Sequence, residues 1–362
     1  MASPERFLIA EDDPPLRLVG LALGAPLDAR MRTALGRFFT EDVESSVKRL
    51  RQIAEDVGVA GSVVPLLATD DDLGSQLAGV HYLLVESASI TDTVLARGTD
   101  LRLIQKHGED CRNVDLVAAA QRGVPVAILR RWANTAVAEH TLLLMLAVAR
   151  RLRDSHAAGA RAIADGAGAE SAYNWARLEG FRSLRGATLG IVGLGEIGRD
   201  VARKAGAFGL RVLYTQRRRV DATLERDLRA EFRPLAGLLQ DSDVVSLHVP
   251  LTSDTRGLIG AAELAQMRRG AILVNTSRGG LVDEEALVAA LRSGHLAGAG
   301  LDVRIEEPPR DGAGLGELPT VALTPHVAAG TGRELLDDVR AVLDNVVRVR
   351  GGEPPVEKAV GP

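Results

Sequence analysis

The sequence is poor in cysteine and in aromatic residues, and its opposite charges nearly balance. Of 362 residues 1 is cysteine and 3% are aromatic, and the formal net charge is -4 at pH 7. The single cysteine, Cys111, excludes an internal disulfide framework and suits a reducing cytoplasm. A net charge so small gives no general attraction to nucleic acid or to an anionic membrane. We therefore expect a cytoplasmic protein with no nucleic-acid or membrane partner.

Long hydrophobic runs are also missing. The longest, residues 141–149, is too short to cross a bilayer. The first fifteen residues are polar and acidic, and they lack the basic-then-apolar order of a signal peptide. We expect a loose tail there and a frayed end over residues 351–362. The length is sufficient for two domains of ordinary size, each with its own core.

Strand and helix patterns alternate nearly to the end of the chain. Strands are predicted at residues 18–23, 63–67, 82–85, 101–105, 126–129, 188–192, 211–214, 244–247, 271–275, 298–302 and 321–323. Helices are predicted at residues 28–39, 41–56, 134–151, 197–208, 261–267, 283–293 and 332–349. Residues 153–185 are rich in Ala and Gly and are predicted to be irregular, with Trp175 and Phe181 as anchors. This alternation indicates an α/β protein with parallel sheets and helices on both faces.

Three glycines, Gly193, Gly195 and Gly198, form a G-x-G-x-x-G motif between a predicted strand and a predicted helix. The first permits a tight turn, the second lets backbone approach a pyrophosphate, and the third lets helix and strand pack closely. The helix N-terminus supplies free N–H groups to the phosphates. The motif alone can be an ordinary glycine-rich turn, but its strand–turn–helix context predicts a dinucleotide site.

The end of the next strand bears on the choice of cofactor. In NAD-dependent folds an acidic residue about 20 residues beyond the motif binds the adenosine ribose. Here Gln216 stands at that place, followed by Arg217, Arg218 and Arg219, and Asp221 comes too late. Guanidinium groups can pair with a 2′-phosphate, which a carboxylate would repel. The sequence therefore predicts NADP in preference to NAD, the alternative being a solvated turn that tolerates both.

Three polar residues follow three consecutive predicted strands: Arg278, Glu307 and His326. Taken singly, they can be a surface ion-pair partner, a solvated acid and a structural histidine. Together they suit the reduction of a 2-oxo acid beside a nicotinamide. Histidine is the natural proton donor at neutral pH, and a neighbouring carboxylate favours its protonated form and fixes its tautomer. Arginine offers a planar fork to a carboxylate and can polarise the adjacent carbonyl.

At several motifs the sequence resembles the D-isomer-specific 2-hydroxyacid dehydrogenases, a family that includes phosphoglycerate dehydrogenase, glycerate dehydrogenase and glyoxylate/hydroxypyruvate reductase. The motifs are L-R-G-x-T-L-G-I-V-G-L-G-x-I-G from Leu184, H-V-P-L-T from His248, N-T-S-R-G from Asn275, L-D-V from Leu301, E-P at Glu307 and T-P-H from Thr324. The match runs from about Leu101 to Gly330, and before it only the α/β organisation agrees.

The resemblance implies two Rossmann-like, doubly wound domains with a discontinuous substrate domain: residues 1–130 and 328–362 bind substrate, and residues 131–327 bind dinucleotide. It implies that Arg278 holds and polarises the substrate, that Glu307 supports His326, and that His326 is the acid–base.

The expected cofactor-binding residues are Gly193, Gly195, Glu196, Ile197, Gly198, Gln216, Arg217, Arg218, Val249, Pro250, Thr255, Thr276, Ser277 and Asp302, the last on the nicotinamide carboxamide. The expected substrate-binding residues are His107, Gly108, Glu109, Arg278 and His326. No metal is expected. The family pattern further implies a homodimer formed through residues 134–151, a helix apolar on more than one face, the alternative being a helix wholly inside its own domain.

Departures from the family pattern fall where the substrate should sit. The family usually has an A-G-x-G-x-D-N-like loop, but here the second glycine is Asp110, within Lys106 to Asp115. Arg131 and Trp132 replace the residues usual before the long helix, and Arg304 replaces an aromatic residue. These changes leave the chemistry intact and leave the substrate open among glyoxylate, hydroxypyruvate and phosphoglycerate types, although they can equally be drift on loops.

Two alternatives to a 2-hydroxyacid dehydrogenase remain open at this point. One is a relative acting on another small anion, such as formate or phosphite; the formate enzymes have a glutamine where Glu307 stands, which argues against that version. The other is a dinucleotide-sensing corepressor, because corepressors of this fold keep the Arg, Glu and His set. Turnover of a 2-oxo acid with cofactor separates these classes.

Overall fold

The computed structural model describes residues 4–68, 73–165, 179–309, 314–330 and 332–359. The chain divides into two compact units, one of Met1–Ala133 with Gly330–Pro362 and the other of Asn134–Ala329. Each is built on a parallel sheet, one of five strands and one of seven. The predicted α/β class is thereby confirmed.

The first unit has a five-stranded sheet in the order β2-β1-β3-β4-β5. Its strands are β1 (Glu5–Ile9), β2 (Val63–Leu67), β3 (Tyr82–Val85), β4 (Leu103–Lys106) and β5 (Val126–Ala127). Its helices are α1 (Pro14–Ala22), α2 (Ala29–Phe38), α3 (Val43–Asp56), α4 (Asp92–Leu95), α5 (Leu116–Gln121) and the last helix of the chain, α13 (Gly332–Arg350). Alternate strand residues enter two different cores, one with α1, α2, α3 and α13 and the other with α4 and α5. The sheet is therefore covered on both faces.

The second unit has a seven-stranded sheet in the order β12-β11-β10-β9-β6-β7-β8. Its strands are β6 (Thr188–Val192), β7 (Arg211–Thr215), β8 (Ala230–Phe232), β9 (Val244–Leu247), β10 (Ile272–Asn275), β11 (Gly298–Leu301) and β12 (Val321–Leu323). The helices are α6 (Trp132–Ala149), which starts in the first unit, α7 (Leu152–Asp165), α8 (Glu196–Ala207), α9 (Ala222–Leu228), α10 (Leu235–Asp241), α11 (Ala261–Gln266) and α12 (Glu284–Arg292). The strand order reverses between β6 and β9, the point at which such sheets bind ligands.

Helix α6 is a core element of the second unit. Among the residues that the structure describes, it is the one helix long and apolar enough to span a membrane by length and composition alone. A Cβ added at Gly300 of β11 would lie 2.8 Å from the Leu144 Cβ. One added at Gly298 would lie 2.5 Å from Val148 Cγ1. The two glycines therefore let this helix lie directly on the sheet.

Two predicted features near the N-terminus are wrong. Residues 18–23 are not a strand, since α1 occupies them from Pro14 onward. Its two prolines stand at the first helical positions, where the missing N–H groups cost nothing. The helix is buried along most of its length, and a short buried helix has the same unbroken apolar run as a buried strand. The loose tail is also wrong for the described residues, because β1 lies at 5–9 and its Phe7, Leu8 and Ile9 are buried.

Two further predictions, an irregular segment at 153–185 and a frayed C-terminal end, differ from the structure. Helix α7 occupies the first part of residues 153–185; Phe181 lies 5.2 Å from the Arg150 guanidinium, and Trp175 lies outside the described residues. The C-terminal segment is not frayed where it is described. The Ile128 N–H donates to the Glu357 carbonyl (2.9 Å), and the Ala359 N–H donates to the Val126 carbonyl (2.8 Å).

Candidate active site

His326 and Glu307 form the central contact of the candidate site. His326 follows β12, Glu307 follows the neighbouring β11, and the His326 Nδ1 lies 2.5 Å from Glu307 Oε2. Both side chains are partly exposed, so the pair faces solvent. Because the Glu307 carboxylate accepts a hydrogen bond from the Nδ1–H group, the other ring nitrogen, Nε2, is left for a reacting group. The two residues that the sequence separates by 19 positions are thus brought together.

The backbone beneath His326 is organised by Asp302. His326 has a φ of 55°, in the left-handed region that is uncommon for residues other than glycine. The Asp302 carbonyl accepts from the His326 N–H (2.8 Å), and its carboxylate accepts from the N–H groups of Val327 and Ala328 (both 2.9 Å). The Thr324 hydroxyl donates to the same carboxylate at 2.6 Å. Asp302 therefore stands inside the turn that carries His326.

The Asp302 side chain is fully buried, and both of its oxygens accept hydrogen bonds from this turn. Asp302 therefore supports the turn that carries His326. Its expected contact with the nicotinamide carboxamide stays a prediction.

Arg278 follows β10, the next strand in the sheet, and is exposed. One of its terminal nitrogens, Nη1, donates to the Ser277 carbonyl at 2.6 Å, and no carboxylate partner is found for it among the described residues. Gly279 beside it is buried, and a Cβ added there would collide with the backbone of Arg304 and Ile305. The loop leading to Glu307 therefore passes directly against the residue after Arg278.

The glycine motif fits a dinucleotide. Gly193 has a φ of 99°, and a Cβ added there would lie 2.5 Å from the His248 carbonyl oxygen. A Cβ added at Gly198 would collide with the Gly193 carbonyl. Gly195, by contrast, is exposed with open space around it, and it begins α8 without a side-chain cap. Two glycines are thus fixed by packing, and the third leaves the helix N-terminus open to a phosphate.

At the end of β7, Gln216 links the glycine loop to the arginine turn. Its Oε1 accepts from the Leu194 N–H (3.1 Å), and its Nε2 donates to the Arg218 carbonyl (2.5 Å). Arg217 and Arg218 are exposed, with no ion-pair partner among the described residues. Asp221 is turned to α9, where its carboxylate accepts from the Thr223 and Leu224 N–H groups.

Arg219 is engaged in a different way. It pairs through two nitrogens with Glu225 at 2.7 and 2.8 Å, and its guanidinium lies 5.9 Å from the Phe232 ring. Hydrogen bonds from Arg219 and then from Tyr214 lower the pKa of Glu225 to about 2. Of the three consecutive arginines, this one is therefore committed to the protein itself.

The remaining cofactor candidates also follow strands of this sheet. Val249 and Pro250 come after β9, and Val249 Cγ1 would lie 2.7 Å from a Cβ at Gly193. The Thr255 hydroxyl donates to the Pro250 carbonyl (2.6 Å) and shapes that loop. After β10, Thr276 is buried with its hydroxyl 2.9 Å from that of Thr141, and the Ser277 hydroxyl donates to the Leu247 carbonyl. Glu196 and Ile197 form the first turn of α8, and Glu196 accepts from Asn134 (2.5 Å).

The expected substrate loop lies in the first unit, after β4. His107 is buried there, and burial lowers the pKa of its imidazole to about 3. Its Nδ1 is buried without a hydrogen-bond partner among the described residues, 3.9 Å from a Glu86 carboxylate oxygen. The neutral ring therefore belongs to the interior rather than to an open surface. Beyond it, Glu109 pairs with Arg130 at 2.8 Å.

The atypical residues of this unit make internal contacts. Asp110 pairs with Arg112 within the loop, Arg131 pairs with Glu86 at 2.7 Å, and Trp132 is 59% exposed. The Trp132 N–H donates to Asp338 of α13, whose carboxyl has a pKa raised to about 6 by burial. These ion pairs give the loop a structure that its glycine-poor sequence does not predict.

Three residues that the sequence analysis did not single out belong to the site. Thr324 and Glu284 bind the loops that carry His326 and Glu307, and the His140 Nε2 lies 2.9 Å from the Thr324 hydroxyl. Thr324 lies within the quoted T-P-H motif, which was a usable signal. Glu284 and His140 stand on helices, where nothing in the local pattern distinguishes them from surface polar residues.

A parallel sheet with a glycine loop at its switch point and an Arg, Glu and His set at adjacent strand ends defines a dinucleotide-binding oxidoreductase. Comparison with known proteins agrees. The family model described as "D-isomer specific 2-hydroxyacid dehydrogenase, NAD binding domain" matches residues 142–328. The glycerate dehydrogenase of Methylorubrum extorquens is 35% identical over 295 residues, which is 79% of this chain and 88% of that protein.

Other relatives point the same way. The hydroxypyruvate reductase of Thermotoga maritima is 38% identical over 264 residues, 72% of this chain and 82% of that protein. The holo structure of D-mandelate dehydrogenase from Rhodotorula graminis superposes with a TM-score of 0.61 at 27% identity, covering 99% of both chains. The chain belongs to the D-isomer specific 2-hydroxyacid dehydrogenase family. It is a hydroxyacid oxidoreductase with a nicotinamide cofactor and a small-molecule substrate, and this prediction holds over the corepressor and small-anion alternatives.

The contact beneath Arg278 gives a first prediction. Gly279→Ala should displace the 303–307 loop, because the added methyl group meets backbone rather than a flexible side chain. We expect turnover of a 2-oxo acid to fall by about 10²-fold, the cost of a misplacement of about 1 Å in a catalytic site. Gly280→Ala is the matched control, since its Cβ would meet the ends of two flexible side chains, Leu251 at 3.0 Å and Arg256 at 3.5 Å. Equal turnover by both variants would show that the contact between Gly279 and the 303–307 loop does not affect catalysis.

Proposed function

We propose that the protein reduces small 2-oxo acids of the glyoxylate and hydroxypyruvate type to D-2-hydroxy acids, with NADPH preferred over NADH. The contact between His326 Nδ1 and Glu307 Oε2, one strand away from Arg278, is the observation that carries the proposal. Glycerate dehydrogenase, glyoxylate reductase and hydroxypyruvate reductase are the names of its relatives, and they supply the substrate class. We assign cofactor binding to the Asn134–Ala329 unit and substrate binding chiefly to the other.

A nicotinamide, when bound, would supply the hydride that the carbonyl carbon receives. Arg278 binds the substrate carboxylate with the donors that Ser277 leaves free, and its charge polarises the adjacent carbonyl. His326 gives its Nε2 proton to the carbonyl oxygen, and Glu307 stabilises the charged ring and fixes its orientation. In the reverse direction His326 accepts the proton. Gly193, Gly195 and Gly198 would hold the pyrophosphate of the cofactor, which the free N–H groups at the start of α8 favour.

For the substrate loop we propose that backbone groups at Gly108 and Glu109 meet the substrate, as the family pattern implies. The buried, neutral ring of His107 then supports the loop from within. A substrate panel of glyoxylate, hydroxypyruvate and 3-carbon hydroxy acids, measured in both directions, identifies the preferred acid.

His326→Ala should abolish proton transfer while cofactor binding stays nearly intact. General acid catalysis contributes about 10²–10⁴-fold, so kcat should fall by at least the lower figure. Steady-state turnover of glyoxylate and hydroxypyruvate, with NADPH binding followed by its fluorescence, measures both effects. A variant that turns over at the wild-type rate would remove His326 from the mechanism.

The cofactor preference rests on the arginine turn. Without a ribose-binding acid, and with Arg217 and Arg218 exposed, the end of β7 suits a 2′-phosphate. Arg217→Ala or Arg218→Ala should weaken NADPH binding roughly 10- to 100-fold, as expected for a hydrogen bond to a charged group, and leave NADH binding nearly unchanged.

Arg219→Ala is the control for this pair, because its guanidinium is held by Glu225. It should change the binding of the two cofactors by the same factor. The decisive quantity is the ratio of kcat/KM for NADPH to kcat/KM for NADH, measured with one 2-oxo acid. A ratio below one in the wild type would contradict the proposed preference for NADPH.

We propose a cytoplasmic homodimer formed through α6. One face of this helix is buried in its own unit, whereas Leu143 is 49% exposed and lines an apolar groove of about 830 Å³ with Leu152 and Leu323. Neighbouring exposed apolar side chains in one groove, together with the dimeric family pattern, support an interface with a second copy here.

Leu143→Glu should therefore convert a dimer into a monomer, because it places a charge in the centre of the contact. Val117→Glu is the control, an equally exposed apolar residue on α5 of the other unit. Light scattering at micromolar concentration measures the mass of each. A monomeric wild type would refute the dimer.

A further inference from the structure

Arg304 is held by a largely buried ion pair. Its Nε and Nη2 donate to the two carboxylate oxygens of Glu284 on α12, at 3.0 and 2.8 Å. The two side chains are only 12% and 14% exposed. Glu284 also accepts from the Ile305 N–H at 2.9 Å. One carboxylate therefore receives three hydrogen bonds from two consecutive residues of the loop.

The same loop holds Glu307. The Arg304 N–H donates to Glu307 Oε1 at 2.9 Å, while the other oxygen, Oε2, contacts His326. On its opposite side, the backbone at Arg304 lies against Gly279 with no room for a methyl group. A continuous series of contacts thus runs from Glu284 through Arg304 and Glu307 to the His326 ring.

We propose that Glu284 and Arg304 are positioning residues that fix the Glu307 carboxylate against His326. This rests on the proposed function, in which His326 is the acid–base. Neither residue contacts the reacting groups; their effect is transmitted by the loop backbone. Removing one partner leaves the other charge largely buried without a counter-ion, which is more disruptive than the loss of an exposed pair. The loop then shifts, and Glu307 shifts with it.

The pKa of Glu284 agrees with this arrangement. Burial raises the pKa, but hydrogen bonds from the Arg304 guanidinium and the Ile305 N–H outweigh burial and hold it below the usual range. The carboxylate therefore stays charged throughout the neutral range, and its hold on the loop does not depend on pH there.

The test compares Glu284→Ala, Glu284→Gln and Arg304→Met with Glu285→Ala in the full-length protein. Glu285 is the matched control: it has the same residue type, is adjacent in the first turn of α12, and is exposed. The measurements are kcat with glyoxylate and NADPH, the Kd for NADPH, the solvent deuterium isotope effect on kcat, and the thermal midpoint.

We expect Glu284→Ala and Arg304→Met to lower kcat by roughly 10- to 100-fold, the cost of a small misplacement of a catalytic group. The Kd for NADPH should stay within about 2-fold, since cofactor binding is left intact. The isotope effect should rise, because proton transfer becomes slower relative to the other steps. Glu284→Gln keeps an acceptor for the Ile305 N–H and should recover part of the loss. Glu285→Ala should match the wild type.

The inference is overturned if Glu284→Ala and Glu284→Gln both turn over like Glu285→Ala. It is also overturned if kcat falls only in proportion to the folded fraction, with an unchanged isotope effect. His326→Ala distinguishes a failure of the positioning role from a failure of the proposed function. If that variant loses activity while the Glu284 variants do not, only the positioning role fails; if it keeps wild-type activity, the proposed function fails and the role assigned to the pair falls with it.

Discussion

The register of the seven-stranded sheet is the constraint from which the site follows. The last residues of six strands are direct neighbours: Leu323 pairs with Leu301, Leu301 with Asn275, Asn275 with Leu247, Leu247 with Val192, and Val192 with Thr215. Six loops therefore leave the sheet at one level. A shift of one strand would displace its loop by a residue length, about 3.3 Å, which exceeds the reach of a hydrogen bond.

Above this level the loops are held by two kinds of contact. Close backbone packing at Gly193, Gly198 and Gly279 fixes their approach, and buried carboxylates fix their course. Asp302 organises the turn after β12, and Glu284 organises the loop after β11. Each carboxylate accepts several N–H groups that would otherwise be unsatisfied near the sheet, where an unpaired donor is costly. The exposed groups, Arg278 and His326, thus stand on rigid supports.

Much of this plan could be predicted from the sequence, because strand patterns and ligand-binding motifs are local. The glycine loop and the placing of Arg278, Glu307 and His326 at strand ends needed only the alternation of elements and the family motifs. The buried helix at 14–22 was mistaken for a strand because a fully buried segment has no periodicity to read. The short strand β8 was missed because, unlike the apolar β12, it contains Glu231 and is flanked by Arg229 and Arg233.

Side-chain roles that depend on tertiary contacts could not be predicted from the sequence. Asp302 was expected at the cofactor, and only its buried geometry reveals the hydrogen bonds to the turn. Arg304 departs from the aromatic residue expected there, and no local pattern connects it to Glu284, 20 positions away. Likewise, the burial of His107 is not indicated by its polar neighbours in sequence.

The return of the C-terminal segment to β5 has a consequence for the behaviour of the first unit. β5 is an edge strand, and Lys358 forms an antiparallel bridge with its Ala127. The chain thereby closes this edge against strands of other molecules. The other edge, β2, pairs on one side only in the described part of the chain, and its Val64, Leu66 and Leu67 are 36% to 40% exposed. The two edges of this sheet therefore differ: the C-terminal segment covers β5, whereas β2 is protected by Pro65 within the strand rather than by a covering segment among the described residues.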